Sequence, residues 1–420
     1  MQLLDKLHKI YYSVKYQSVM LKAYKYCINP NSEQAQKFAQ FFGATRFAFN
    51  WGLDQKIKLY TESKKSISCF ELCNNLTSIK KQEEFNWLND IHSQVLQMSL
   101  RRLDNAFQKF FSKSLKAGFP KFKSRKNPVQ TFQYPQGVKV DFDNSTIFLP
   151  KIGKVSCIFH RKFTGKIKTC TVSKTPTGKY FVSVLVDNDE SLPPMCNITS
   201  EKQAIGIDVG IKEFATCSNG EVIKNPKYLK NKLARLAVKQ RQLSKKVKGS
   251  NNRNKAKYWV ARVHETISNQ RNDFLHKLSN RLIRDNQAVI IEDLNVKGMV
   301  KNHCLAQAIS DVSWSKFFDY LTYKASWQGK QVITINRFAP SSQICSTCGT
   351  KNPAVKNLAV RNWICSNCNT EHDRDFNACL NIRNFGLIQV GFKELEPTIN
   401  KSEGSGVDYY ELRTSEAPNL

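Results

Sequence analysis

Two cysteine pairs, Cys345-Ser-Thr-Cys348 and Cys365-Ser-Asn-Cys368, stand sixteen residues apart. Each pair makes a short knuckle, and two knuckles at this distance can close one tetrahedral site of four thiolates, the set that zinc prefers. Four thiolates leave no coordination position for water or substrate, so such a zinc braces a small ribbon and performs no chemistry. Buried or redox-active thiols are the plainer alternative, and the doubled spacing favours the metal. Chemistry is then expected from the stretch that follows, His372-Asp373-Arg374-Asp375-Phe376-Asn377. Asp375 precedes an apolar-periodic run that stops at Gly386, which places it at a helix N-terminus. The partial positive charge there keeps a carboxylate ionised and able to bind a hard cation. A simple cap is the bland reading of such an Asp.

Two further acids change that balance. Asp208 ends Ala204-Ile-Gly-Ile-Asp208 and Glu292 ends Ala288-Val-Ile-Ile-Glu292, both continuous apolar runs of the kind found in buried strands. After Asp208 come a second strand, Glu213-Phe-Ala-Thr-Cys217, a turn at Asn219-Gly220 and a third strand, an antiparallel trio. After Glu292 come a helix over about 313–327 and the strand Gln331-Val-Ile-Thr-Ile335, in βαβ order. Strand-Asp, strand-Glu and helix-Asp in this order are expected to converge on one edge of an RNase H-like sheet. Three carboxylates together repel one another unless cations lie between them. Two Mg2+ ions about 4 Å apart meet that need, one activating water and the other stabilising the leaving 3′ oxygen of a cleaved phosphodiester.

The whole chain carries 65 Lys and Arg against 34 Asp and Glu, a formal charge of +31. That excess is beyond what solubility requires and predicts a polyanionic partner. No run approaches 18 apolar residues and the N-terminus lacks a signal-peptide core, so no membrane partner is expected and nucleic acid remains. Nine of the thirteen cysteines lie outside the two pairs and are scattered, as reduced thiols of a cytoplasmic protein are, nucleoid-associated if prokaryotic. A length of 420 residues predicts two to four domains.

The elements that must position the site follow in order. Residues 1–19 form a loosely amphipathic extension, ahead of a second methionine, Met20. A strand from there stops at Asn29-Pro30, and Asn31 or Ser32 can cap the next helix. Phe38, Phe42, Thr45 and Phe49 share one helical face, as do Leu96, Leu100, Leu103, Phe107 and Phe110, which predicts a helical bundle with these side chains in its core. Arg101, Arg102, Lys109 and Lys113 flank it, on a face suited either to phosphates or to water. From 119 to 134 cations and rings interleave. Bases stack on rings while cations hold phosphates, so Lys121, Phe122, Lys123 and Arg125 are candidate nucleic-acid contacts, although a loop entering a β-domain has the same composition. Short alternating strands over 135–190 predict a small antiparallel barrel or sandwich, and 191–200 a linker. Residues 224–257 hold thirteen Lys or Arg and no acid. Lys230, Lys232, Arg235, Lys239, Arg241, Lys245 and Lys246 are therefore expected on a nucleic-acid surface. The tail from Lys393 is polar and without period, as disordered segments are.

Four motifs together resemble the transposon-encoded TnpB (OrfB) family, RNA-guided DNA endonucleases related to type V CRISPR effectors. They are Gly206-Ile-Asp208-Val-Gly210, Ile291-Glu292-Asp293-Leu294, Pro340-Ser-Ser-Gln-Ile-Cys345-Ser-Thr-Cys348-Gly349 and His372-Asp-Arg-Asp375-Phe-Asn-Ala378. Weaker likeness reaches back to Asn50-Trp51 and Phe119-Pro-Lys-Phe-Lys123. The resemblance implies an α/β multidomain protein: a barrel-like wedge β-domain (20–35 and 120–200), an inserted helical recognition domain (36–119), and an RNase H-like RuvC nuclease domain (201–386). The last would carry a basic helical insertion (224–284) and the zinc ribbon (340–371), before a mostly disordered tail (387–420). It further implies Asp208, Glu292 and Asp375 as catalytic ligands of two Mg2+, and one structural zinc on Cys345, Cys348, Cys365 and Cys368. The implied partners are a guide RNA from the transposon end, one chain per guide, and target DNA beside a short motif. Asn369 departs from the glycine usual in the second knuckle, but Asn tolerates the same left-handed backbone. Two other functions fit the residues: a transposase acting on element ends, and a cleavage-deficient RNA-guided regulator. Degenerate acids would mark the regulator, and all three acids are present.

Overall fold

Alternating residues make β1 (Val19–Asn29), and Asn31 opens α1 (Ser32–Ser63) by a reciprocal cap. Its side chain accepts the Gln34 N–H at 2.8 Å while Gln34 accepts the Asn31 N–H at 3.1 Å. A computed structural model of the protein describes residues 19–112, 117–127 and 129–392. The amphipathic extension before Val19, read either as an extra helix or as sequence ahead of the translation start at Met20, the expected tail from Lys393 and the flanking Lys113 lie outside the described residues. The chain forms two compact units: residues up to Pro193 with 232–269, and 194–231 with 270 onward.

In the first unit, α1 is followed by α2 (Cys69–Ile79) and α3 (Ser93–Phe111), then by β2 (Gln130–Tyr134), β3 (Lys139–Asp141), β4 (Thr146–Leu149), β5 (Gly153–Ile158), β6 (Lys166–Lys174) and β7 (Tyr180–Ser191). The strands pair antiparallel in the order β2-β6-β7-β1-β5-β4-β3, so the strand read at the start of the chain lies in the middle of the sheet. Phe38, Phe41 and Phe42 of α1 pack on Phe132 of β2, with ring centroids 5.1 to 5.9 Å apart. Thr45, Phe49, Leu96, Leu100 and Leu103 are buried as their spacing predicts. Phe110 corrects the core expectation. It is exposed in the last turn of α3, where no core lies behind it, and it clusters with Phe111 and Phe119. The basic stretch makes α4 (Leu233–Ser244) and the first part of α5 (Asn251–Asp285), a helix that continues into the second unit. Arg253 closes the turn between them by donating to the carbonyls of Leu243 and Lys246.

The second unit is built on β8 (Ala204–Val209), β9 (Glu213–Cys217), β10 (Val222–Lys224), β11 (Ala288–Glu292) and β12 (Gln331–Ile335), in the order β10-β9-β8-β11-β12. The first three are antiparallel, and β11 runs parallel to both β8 and β12. Helix α6 (Trp314–Trp327) makes the crossover between β11 and β12. Because side chains alternate along a strand, β11 serves two cores. Val289 and Ile291 pack with Leu275, Trp314 and Phe317, whereas Ala288 and Ile290 pack with Ile382 and Leu387. The latter two belong to α7 (Arg374–Gln389), which follows a two-stranded hairpin of β13 (Asn362–Ile364) and β14 (Glu371–Asp373). Helix α7 lies close on the sheet at two glycines. A Cβ on Gly206 of β8 would sit 2.2 Å from the Cys379 carbonyl oxygen, and one on Gly386 would sit 2.5 Å from Ile290 of β11.

Candidate active site and metal centre

The register Ile207 to Ile291 makes Asp208 and Glu292 the next residues on two adjacent parallel strands, which run about 4.8 Å apart. Asp208 keeps a little exposed surface but is packed about by protein. Its carboxyl is pushed well above the usual carboxylate range by burial, by the charge of Glu292 and by that of Asp375, against the weaker pull of Arg374 and Arg361. Burial also raises Glu292, opposed by a hydrogen bond that Ser341 Oγ donates to its Oε1 at 2.5 Å. Asp293, the neighbouring acid, is instead engaged by Arg337 Nε at 3.0 Å.

Asp375 arrives from α7. The cap itself is Asp373, whose side chain accepts the Phe376 N–H at 2.8 Å, so Asp375 stands in the first turn, where its charge suits the helix dipole. Arg361 Nη1 lies 3.2 Å from its Oδ1. The structure therefore brings the electrostatics of Asp208, Glu292 and Asp375 together without closing their oxygens around a point. Among the described residues, only the four cysteines form a group of three or more potential ligands within 4.8 Å of one another. The residues nevertheless suit a hard cation: hard oxygen donors, burial and like charges that raise the Asp208 pKa and that a cation would offset, and the Arg361 guanidinium beside Asp375.

The four thiols make a closed site. Cys345 and Cys368 Sγ lie 3.6 Å apart, Cys348 and Cys365 Sγ 3.5 Å. Four ligands at the zinc–sulfur distance of about 2.3 Å would stand about 3.8 Å from one another, so the set fits zinc. The knuckles match in detail. Cys345 N–H and Cys365 N–H donate to Thr350 O and Thr370 O, each at 2.9 Å, and the N–H groups of Gly349 and Asn369 donate to Cys345 O and Cys365 O, again at 2.9 Å. Gly349 has φ 75° and Asn369 φ 54°, so asparagine does adopt the left-handed conformation expected of it. Thr350 and Thr370 hydroxyls hold the Cys348 and Cys368 thiols below their ordinary range, for Cys348 in spite of burial.

Four residues to which the sequence assigns no role of their own shape this region. Buried His372 places Nε2 3.0 Å from Cys345 Sγ and packs its ring against Trp363, centroids 4.5 Å apart and planes tilted by 35°. Asn377 and Asn381 of α7 are buried, and Nδ2 of each donates to the Ile344 carbonyl, at 2.7 and 2.6 Å. Asn377 Oδ1 accepts the Ser346 N–H at 2.9 Å, and Asn381 Nδ2 also donates to the Ser341 carbonyl at 2.7 Å. The fourth is Ser341 itself. Their one legible hint is the i, i+4 spacing of two asparagines on an otherwise apolar helix face.

The candidate nucleic-acid contacts separate. Lys121, Phe122 and Arg125 are exposed. Lys123 turns inward: its ammonium lies 3.7 Å from the Phe49 ring centroid, Asn50 holds its backbone at 2.7 and 3.0 Å, and burial beside Arg102 brings its pKa down to about 8. Lys230, Arg235, Arg241, Lys245 and Lys246 are exposed, Lys232 and Lys239 half-buried. Lys232, Arg235 and Lys239 line a cavity of about 110 Å³ together with Trp259 and Arg262. No helix among the described residues is long and apolar enough to cross a membrane.

Comparison with known proteins adds family models and relatives. Residues 182–303 match a model of IS605-type OrfB proteins described as "Probable transposase", 314–382 the TNB domain of Cas12f1-like proteins, and 20–65 an OrfB helix-turn-helix domain. Here that last segment is β1 followed by α1. A Streptomyces pristinaespiralis protein named "Putative RNA-guided DNA endonuclease" is 40% identical over 87% of this chain and 89% of its own length. InsQ of Escherichia coli K12, which bears the same description, is 36% identical over 78% of this chain and 83% of its own. In fold, the chain is similar to the protein of a Cas12f1-sgRNA-target DNA complex, with a TM-score of 0.52, 14% identity, and coverage of 84% of this chain and 83% of the other.

Proposed function

We propose a function from the premise that this chain belongs to the TnpB (OrfB) family of IS605-type elements. It is an RNA-guided DNA endonuclease. One geometric observation carries the chemistry: Asp208, one residue before the end of β8, and Glu292, the last of β11, lie side by side on adjacent parallel strands. We assign Asp208, Glu292 and Asp375 as the catalytic carboxylates of a RuvC-type, RNase H-like site holding two Mg2+. Bound there, divalent cations would supply an activated water and charge neutralisation at the leaving 3′ oxygen. Asp208, Glu292 and Asp375 would hold the cations as carboxylates, and Asp375 is paired with Arg361. Helix α7 holds Asp375 over the strand ends while the ribbon, with one zinc on Cys345, Cys348, Cys365 and Cys368, braces the segment leading into it.

The remaining assignments rest on the same premise. The sheet of β1 and β2–β7 corresponds to a wedge-like domain (20–35 and 120–200), the helices within 36–119 to a recognition domain, and 201–386 to the nuclease domain. The exposed cations of the α4–α5 region would hold a guide RNA drawn from the transposon end, one chain per guide, with a short motif read beside the DNA target. Sequencing the RNA that copurifies with the protein identifies the guide. Cleavage of a matching DNA by wild type, Asp208→Ala, Glu292→Ala and Asp375→Ala, in Mg2+ and in EDTA, tests the site. Wild type is expected to cut only with Mg2+, and each variant to bind without cutting. Cutting by Asp208→Ala in EDTA at the wild-type rate would overturn the assignment. The description of the matched OrfB model favours one second reading, a transposase. Joining of element ends by the purified protein without RNA would support it.

A further inference from the structure

Helix α7 touches the site twice. Directly, it carries Asp375 in its first turn. Indirectly, it holds the segment 341–346 by its buried asparagine amides: Asn377 on Ile344 O and Ser346 N–H, Asn381 on Ile344 O and Ser341 O. That segment begins at Ser341, whose buried hydroxyl donates to Glu292 Oε1, and it includes Cys345 of the thiolate set. Holding the loop requires only its backbone carbonyls and N–H. The Ser341 side chain is not needed for that, yet it is buried and directed at a carboxylate on another strand. A carboxylate beside like charges can rotate unless one oxygen is fixed; with Oε1 engaged, Oε2 is the oxygen available to a cation.

We propose that Asn381 and Ser341 are positioning residues for Glu292, so that α7, which presents one carboxylate of the site itself, also sets the orientation of another through the Asn381 amide, the Ser341 carbonyl and the Ser341 hydroxyl. This rests on the carboxylate site proposed above. Neither residue is a metal ligand or touches the reacting phosphate; both act through Glu292. Metal occupancy and rate at saturating metal should therefore respond differently to their loss.

The test is a Mn2+ titration of the full-length, RNA-loaded protein, with free Mn2+ read by electron paramagnetic resonance, alongside the Mg2+ dependence of cleavage. Ser341→Ala is expected to weaken Mn2+ binding about 10-fold, the usual scale for losing a partner that orients a metal ligand. The Mg2+ concentration for half-maximal cleavage should rise in parallel, with a smaller change in maximal rate and unchanged zinc content. Ser341→Thr, which keeps the hydroxyl, should restore affinity. Asn381→Ser should weaken binding in the same direction, and the double variant Ser341→Ala with Asn381→Ser should bind no worse than Ser341→Ala alone, because both act on one path. Additive losses would overturn the link through Asn381. Wild-type Mn2+ affinity in Ser341→Ala, with affinity lost in Glu292→Gln, would overturn the positioning role and leave the carboxylate site standing. Wild-type affinity in Glu292→Gln would overturn the site, and the positioning role with it.

Discussion

At the scale of single residues, the site stores charge repulsion that its cation would relieve. Asp208 and Glu292 have folded pKa values raised above the ordinary carboxylate range. Their contribution to stability is fully present below that range and is lost as pH rises through the raised values. Metal-free Asp208→Asn, which cannot ionise, should therefore melt above wild type at pH 8 by roughly 2–4 °C for each kcal/mol relieved, and by less at pH 5. Thermal melts in EDTA at the two pH values check this, and an equal advantage at both would contradict it. Adding Mg2+ should raise the wild-type melting temperature more than that of the variant. The two acids of the HDRD motif should also part company. Asp373 is a cap, and Asn caps as well as Asp, so Asp373→Asn should cost a few tenths of a kcal/mol and leave cleavage near wild type. Asp373→Ala should cost about 1 kcal/mol. Asp375→Asn should abolish cleavage with little change in melting temperature; paired melting and cleavage measurements on the three variants decide it.

At the scale of elements, what matters is how closely α7 can approach the sheet. The Cβ of Gly206→Ala would meet backbone atoms, the Cys379 carbonyl oxygen and the Arg383 nitrogen, which no rotamer change can move aside. Overpacking of this kind costs about 1–3 kcal/mol. Because the helix must lift from β8, Asp375 should shift relative to Asp208, and cleavage should fall further than stability does. Comparable losses in melting temperature and rate would argue against this. The ribbon acts on the same helix from the other side. Cys365→Ser, or removal of zinc by a strong chelator, should lower cleavage at least 10-fold with Mg2+ held in excess, since loss of the knuckle releases the segment that leads into α7; zinc analysis and cleavage on the same sample test it. Much of this was legible in the residues. The cysteine pairs show in their repeated spacing and the acids in their place at the close of apolar runs, and the antiparallel trio and the βαβ unit of the second unit follow from where such runs give way to turns and helical stretches; the pairing of β8 with β11 came only with the structure. The hydrogen bonds of Ser341, Asn377 and Asn381 were not legible, because a hydrogen-bond partner is decided by packing between segments some 40 residues apart. Lys123 looked like a free cation in a basic loop until Asn50 and Phe49 were seen to hold it. The place of β1 inside its sheet depends on pairing with β5 and β7, more than 100 residues away.

At the scale of the whole molecule, +31 is a charge for which the partner is the counterion. The logarithm of RNA affinity should fall linearly with log salt, and replacing Lys232, Arg235 and Lys239 together by Gln should reduce the magnitude of the slope by about 2 for single-stranded contacts, at roughly 0.7 per phosphate. A slope unchanged by the triple substitution would remove this face from the RNA-binding surface. The order of elements along the chain has a further consequence, in time. Asp208 emerges from the ribosome early in the second unit, whereas Asp375 follows about 170 residues later on the last described helix. The basic stretch 224–257 is complete about 120 residues before Asp375, so at roughly 5–20 residues per second the nascent protein spends about 6–24 s with that stretch made and Asp375 not yet synthesised. With Asp375 as the third carboxylate proposed above, the order of elements along the chain puts completion of the cutting site after completion of the basic stretch, a delay written into the sequence.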